Sequence, residues 1–258
     1  MKKTYCIAAL LAVLLVVSGV SFAQGSGKTN GQGVFKLDLE YERLDFDMEM
    51  VSASNTVDVN DWNKTYEAPY ERDAAVLTAS YGICNYADVL VSLGYMEDDM
   101  MADSRSGAET DHTQKGDSAY LWKLGLKFNF YQHKSGFYLG GAANYSQWES
   151  GDDSYTSTPG FEPRSFEVEC KSYDASLYAG MSWKKITAWA GVEYTEVDIE
   201  QNLRDYPLGD DASYDFELED NWGALVGLTY TINKHFDVTA GGRFVNQTSF
   251  NIGVGYRF

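Results

Sequence analysis

Phe250-Asn251-Ile252-Gly253-Val254-Gly255-Tyr256-Arg257-Phe258 decides the fold class. Phe250, Ile252, Val254, Tyr256 and Phe258 share one parity, while Asn251, Gly253, Gly255 and Arg257 share the other. Extended chain with this pattern has one greasy and one polar face. Such a strand, closing on an aromatic, suits a wall between lipid and an aqueous lumen, with its last ring at the membrane interface.

The same period runs back through the chain. Apolar residues alternate with polar ones at Phe35/Leu37/Leu39/Tyr41, Ala75/Leu77/Ala79/Tyr81 and Ala87/Val89/Val91/Leu93/Tyr95. Tyr120/Trp122/Leu124/Leu126/Phe128/Phe130 is the cleanest set, and Phe137–Tyr145, Tyr173–Met181, Ile186–Tyr194, Trp222–Tyr230 and Phe236–Phe244 follow the same rule. With the last strand these make ten segments, most near the 9–11 residues of a tilted crossing. At Arg43-Leu44 the apolar parity changes to Leu44/Phe46/Met48, which predicts a β-bulge. Aromatics sit at strand ends and small aliphatics between them, a pattern of two girdles that a soluble sandwich has no reason to adopt.

Connection lengths add an orientation. Residues 83–86, 131–135, 183–185 and 231–235 read as tight turns, whereas 50–73, 97–117, 149–165 and 200–213 read as long acidic loops, with only 246–248 short at that end. Short turns belong to the periplasmic side. The predicted fold is an all-β, transmembrane, antiparallel up-and-down β-barrel of ten strands, eight being the alternative count.

In its two-faced last strand ending at Phe258, the chain resembles the outer-membrane β-barrels of Gram-negative bacteria. The likeness covers the whole mature chain as architecture and points to no single family. It implies an integral outer-membrane location, contact with outer-membrane lipid and lipopolysaccharide, and delivery by the barrel-assembly machinery. Phe250, Ile252, Val254, Tyr256 and Phe258 would form the assembly signal.

The other end agrees. Lys2 and Lys3, the apolar run Ile7–Val17 and the small-x-small site Ser21-Phe22-Ala23 read as a signal peptide over 1–23, too short to span a membrane. Residues 24–32 are a flexible, polar periplasmic lead-in, and 33–258 form the barrel. Cleavage leaves 235 of the 258 residues with 18 basic and 38 acidic side chains, net −20. That balance excludes nucleic acid as a partner and favours cations or basic surfaces. Cys84 and Cys170 fall at opposite barrel ends, so they are read as two small residues rather than a disulfide, redox pair or metal site.

Chemistry has three places to reside. On the inward parity lie Asp38, Glu40, Asp88, Lys123, Lys127, Asn144, Asp174, Glu193, Asp237, Arg243 and Arg257, with Asp174, Glu193 and Lys123 expected near mid-height. They read either as a charged constriction of a narrow porin-like channel for small ions or solutes, or as an ion-pair network filling the lumen. Tyr138, Tyr178 and Trp189 point the same way, with inward glycines making room for their rings.

The loops are the second place. Glu97-Asp98-Asp99, Asp152-Asp153, Asp210-Asp211, Asp58 and Asp61, interleaved with Trp62, Tyr66, Tyr70, Trp148, Tyr155, Phe161, Tyr206 and Tyr214, suit a closed barrel that presents acidic loops to an extracellular ligand. None of the clusters has the spacing of a Ca²⁺ loop, so neither metal nor cofactor is expected. The third place is an outer-rim hydrolase centred on His112 beside Asp111 and Ser118. It is the least favoured, because adjacent residues point apart and His133 and His235 fall in periplasmic turns.

Overall fold

The computed structural model describes residues 27–54, 67–103, 111–115, 119–152, 165–204, 212–245 and 247–258. The expected signal segment and Asp58, Asp61, Asp153, Asp210 and Asp211 lie outside them. Among the described residues are twelve strands: β1 (Phe35–Ser54), β2 (Glu67–Cys84), β3 (Ala87–Asp103), β4 (Asp111–Lys115), β5 (Ala119–Gln132), β6 (Phe137–Asp152), β7 (Ser165–Trp183), β8 (Ile186–Arg204), β9 (Ala212–Leu218), β10 (Trp222–Thr231), β11 (Phe236–Phe244) and β12 (Thr248–Arg257). All pair antiparallel, and β12 returns to β1 with Leu37 opposite Tyr256. β4 and β9 precede β5 and β10 on the same sides of β3 and β8, so ten strand paths close the barrel.

The short turns are tight for local reasons. Lys184 takes a left-handed φ of 53° between β7 and β8. Gly136 has φ 96° between β5 and β6, where a Cβ would stand 2.3 Å from the Ser182 carbonyl oxygen.

The outward parity forms the lipid belt. Leu39, Leu93, Leu177, Val192 and Ile252 each expose half or more of their surface. Rings line both ends: Tyr95 with Tyr120, Trp122 with Tyr145, Tyr145 with Tyr173 and Tyr194 with Trp222 above; Phe35 with Phe258 and Phe236 with Tyr256 below. From Tyr173 to Trp183 a tilted strand climbs roughly 25 Å, the height of an outer-membrane apolar band. The belt makes the protein an integral membrane barrel.

β1 corrects the sequence reading. Its register with β2 runs unbroken from Phe35 opposite Tyr81 to Glu49 opposite Glu67, so no bulge occurs at Arg43-Leu44. Lys36, Asp38, Glu40, Glu42, Leu44, Phe46 and Met48 all point inward on one parity. The polarity inverts while the geometry continues. Below Tyr41 the outer face meets lipid and the inner face is polar; above it Arg43, Asp45 and Asp47 meet water and the inner face turns apolar. β7 repeats this, with Glu169 and Lys171 outward above Tyr173, and Val168 and Cys170 inward. The strands therefore run far past the membrane, through much of what the sequence reads as loop.

The wall also loses two strands. β12 pairs with β1 up to Thr248 opposite Asp45; above that, β1 pairs with β9, Met48 opposite Leu218. The short β11–β12 hairpin ends at the outer girdle, and β1 and β9 close over it. Leu44, Phe46, Met48, Met96, Leu121, Val197, Ile199 and Phe216 fill the narrowed section as one buried apolar core.

Candidate functional site

Three layers stack along the lumen. In the lowest, Lys36 Nζ lies 2.6 Å from Asp38 and 2.9 Å from Asp237. Arg257 reaches Asp237 at 3.4 Å, and Lys127 lies 3.6 Å from Asp88. Gly255 leaves the space, since a Cβ there would stand 2.4 Å from Asp38 Oδ1 and 2.5 Å from Lys36 Cε.

Beside these pairs Tyr138, Tyr178 and Trp189 form the inward aromatic cluster the sequence anticipates. Gly180 and Gly227 accommodate it, their Cβ positions falling 2.2 Å from the Tyr138 ring and 2.0 Å from the Trp189 ring.

The middle layer brings the predicted charges together with partners that sequence reasoning missed. Lys123 donates to Glu42 at 2.9 Å, and Arg72 approaches the other Glu42 oxygen at 3.3 Å. Arg243 lies 3.6 Å from Glu193, which also accepts a hydrogen bond from Gln247. Lys123 is thus committed to Glu42 rather than to Asp174 or Glu193. The signal for Lys36 and Glu42 was their inward parity on β1; Arg72 was hidden because β2 begins earlier than its lipid-facing set.

The upper layer is the apolar core. Two aromatics that read as loop or interface residues belong inside it: Tyr70 and Trp148 are buried, with Trp148 Nε1 donating to Tyr70 Oη at 2.9 Å and Arg72 over the Trp148 ring. The Glu97-Asp98-Asp99 triplet is strand rather than loop, its central residue turned inward. Asp98 accepts from Tyr70 Oη at 2.9 Å and Ser150 Oγ at 2.8 Å. Burial pushes its carboxyl above the usual range.

Residues 27–33 enter the mouth of the barrel on the short-turn side. The Asn30 backbone N–H donates to Asp88 at 2.8 Å and its side chain to Ser80 at 2.8 Å. Gly33 donates to the Gly82 carbonyl, and Gly27 is buried beside Trp189 and Tyr138.

Outside, above the girdle, carboxylates stand directly opposite one another. Glu149 faces Glu169, Glu169 faces Glu200, Glu200 faces Asp215, and Asp198 faces Glu217. Like charges in direct register cost stability. The Glu149 carboxyl is raised by hydrogen bonding and repulsion from Glu167. Lower on the outer wall, a concavity of 660 Å³ between Val226, Leu228, Ala240 and Phe250 faces lipid rather than the lumen. His112, on β4, pairs in register with Ala102 of β3, but its side chain is outside the described residues. His133 meets Ser135 at 2.9 Å as an exposed contact within one turn. Cys84 and Cys170 are buried free thiols at opposite ends.

No family model and no curated protein matches the chain. Solved structures do. The chain is similar to the outer membrane protease OmpT from Escherichia coli at 12% identity, covering 90% of this chain and 100% of that one with a TM-score of 0.53. It is also similar to the outer membrane protein OprG from Pseudomonas aeruginosa, at 13% identity, 91% and 99% coverage and a TM-score of 0.51. At such identities the likeness carries the fold alone: this is the architecture of Gram-negative outer-membrane β-barrels.

Proposed function

We propose that this is a closed outer-membrane barrel that raises its outer strand ends and loops above the membrane as a binding or attachment platform. The apolar core over the lumen carries the reading. A conducting pore needs a polar path, whereas Phe46, Met48, Met96, Leu121, Val197 and Ile199 are each almost fully buried in mutual contact. Opposed carboxylates around the outside, of which Glu169 alone in that row has a lysine of the chain on it, favour a basic partner, whose positive charge would relieve the repulsion. A rim hydrolase gains no support from the described residues, and the protease among the solved structures lends only its fold.

Planar-bilayer recording of the refolded chain tests closure. The expected result is a correctly folded protein with no conductance steps; discrete, cation-biased steps would replace this reading with the narrow channel. A second assay addresses display. Proteoliposomes should bind a polylysine surface, and deleting 55–66 and 104–110 should weaken binding while folding persists. Absence of binding by the intact chain would leave display without a basis.

The strand Phe250–Phe258 is read as the segment the assembly machinery recognises. Replacing Phe258, whose ring is exposed on Phe35 and Tyr256, by Ser should lower assembly in cells and leave refolding in detergent unchanged.

A further inference from the structure

The net acidity of the chain hides a segregation of charge between the two ends of the barrel. On the short-turn side, three neighbouring turns carry His133-Lys134, Lys184-Lys185 and Lys234-His235, joining β5 to β6, β7 to β8 and β10 to β11. Lys134, Lys184, Lys185 and Lys234 are all exposed. The carboxylates of that end are not: Asp88 and Asp237 are 0% and 1% exposed, turned inward onto Lys127 and Lys36. At the opposite end Asp45, Asp47, Asp198, Glu200 and Asp215 are exposed, and Arg43 and Lys171 are already held by Glu71 and Glu169.

Local structure keeps the lysines at the turn tips. In the first turn the Gly136 N–H donates to the His133 carbonyl, and the His133 ring meets Ser135 Oγ at 2.9 Å, which leaves Lys134 outside. In the third, Asn233 Oδ1 accepts from the backbone N–H groups of His235 and Phe236 at 2.8 and 3.0 Å, so Lys234 projects in the same way. Lys184 occupies the left-handed region, which glycine or asparagine adopts at less cost, so this position carries its charge in spite of the backbone. Among the described residues none of the four makes an ion pair; Lys185 donates to the Ile232 carbonyl at 2.8 Å.

The turns also lie at a definite depth. Trp183 adjoins Lys184, Phe236 follows Lys234 by two residues and Phe137 follows Lys134 by three, and each of these rings is exposed on the girdle. At about 3.4 Å per residue the ammonium groups stand within roughly 10 Å of the apolar belt, which is headgroup depth. There a lysine is attracted by an anionic membrane surface, an attraction that fades within a Debye length of about 8 Å. A soluble polyanion would have to reach into the headgroup layer to meet the same charges.

We propose that the short-turn face is a binding surface for anionic phospholipid, whose headgroup phosphates lie across the three lysine-bearing turns. The acidic opposite end repels the same lipid. Charge segregation therefore selects which end of the barrel meets an anionic leaflet.

The full chain is refolded into vesicles of phosphatidylcholine with a minority of phosphatidylglycerol. Bromine is carried on the acyl chains of one lipid or the other, at equal mole fraction of brominated lipid, and tryptophan quenching is measured. Trp183→Phe isolates the contribution of Trp183, and Trp222→Phe that of Trp222 on the opposite girdle. Brominated phosphatidylglycerol should quench Trp183 several-fold more than brominated phosphatidylcholine, with no such excess at Trp222. Changing Lys134, Lys184, Lys185 and Lys234 together to Gln should remove the excess, as should salt at about 1 M, where the Debye length falls to about 3 Å. Equal quenching of Trp183 by the two lipids overturns the proposal, and so does an excess that survives the four substitutions. Should that variant fail to refold, the salt series on wild type decides, and an excess unchanged by salt overturns it.

Discussion

Met48 stands directly opposite Leu218, joining β1 to β9 only three residues above the point where Asp45 faces Thr248 of β12. Within that rise the wall changes from ten strands to eight and the filling changes from ion pairs to hydrocarbon. The two changes belong together. A narrower barrel encloses a volume that side chains can fill, and once the outer face meets water an apolar interior becomes favourable.

Trp148 anchors that interior, so Trp148→Ala should cost about 3–5 kcal/mol through the cavity it leaves. Tyr70 Oη also loses a donor and Arg72 loses the ring beneath it. Limited proteolysis should find the section above the outer girdle cut faster, with the lipid belt still folded. Unchanged protease resistance would mean that the upper section is not a packed core.

The Arg243–Glu193 contact answers a different question, whether lumen charges hold the wall together. Breaking a buried pair from one side leaves an uncompensated charge and costs about 3–5 kcal/mol. Arg243→Met alone should therefore lower the urea midpoint clearly. Adding Glu193→Gln should recover much of the loss, since the carboxylate bared by the first change is then neutral. A double variant as weak as the single one would show that Arg243 acts by packing rather than by charge.

Much of this was legible in residue order. Parity gave the lipid-facing sets, the tight turns gave the orientation, and the short link at 246–248 already marked a hairpin ending at the girdle. The polarity inversion was not legible from hydrophobicity alone. Apolar residues moving from Leu39 and Tyr41 to Leu44 and Phe46 look like a slipped strand, although a change of surrounding medium produces the same pattern. The distinguishing signal was on the other parity: Arg43, Asp45, Asp47 and Glu49 continue the positions of Leu37, Leu39 and Tyr41 without a break. Arg72 escapes the sequence reading, and Tyr70 and Trp148 read as loop aromatics, for the same reason: hydrophobicity does not mark a strand that continues above the membrane. Which cation meets which carboxylate was illegible, being set by strand tilt around the barrel rather than by parity.

Asp98 gives the upper section a pH dependence of definite sign. Burial raises its folded-state carboxyl above the unfolded value, as the hydrogen bond with Glu167 does for Glu149. A raised acid binds more protons folded than unfolded, so its stabilising contribution is complete below the unfolded carboxylate range and is lost as pH rises through the folded value. The upper section should therefore withstand urea better at about pH 4 than at about pH 7. Asp98→Asn keeps an acceptor for Tyr70 and Ser150 without a titrating group and should flatten part of that slope. A slope identical to wild type would remove Asp98 as its source.

Gly82 decides whether the N-terminal arm is seated. A Cβ there would lie 1.8 Å from the Gly31 carbonyl oxygen, and this contact is with backbone, which cannot swing aside as a side-chain tip would. Gly82→Val should thus expel residues 27–33 from the mouth on the short-turn side and free the groups they cover, Ser80 and Asp88 among them. With Cys84 replaced by Ala, a Ser80→Cys thiol reports this directly. It should react slowly with a water-soluble maleimide while Gly82 is present and several-fold faster beside Gly82→Val. Conductance should stay absent in both, because the apolar core above the lumen is untouched by the arm. Equal labelling rates would mean that the arm does not cover the mouth. Conductance appearing with Gly82→Val would make the arm the barrier and leave the core permeable.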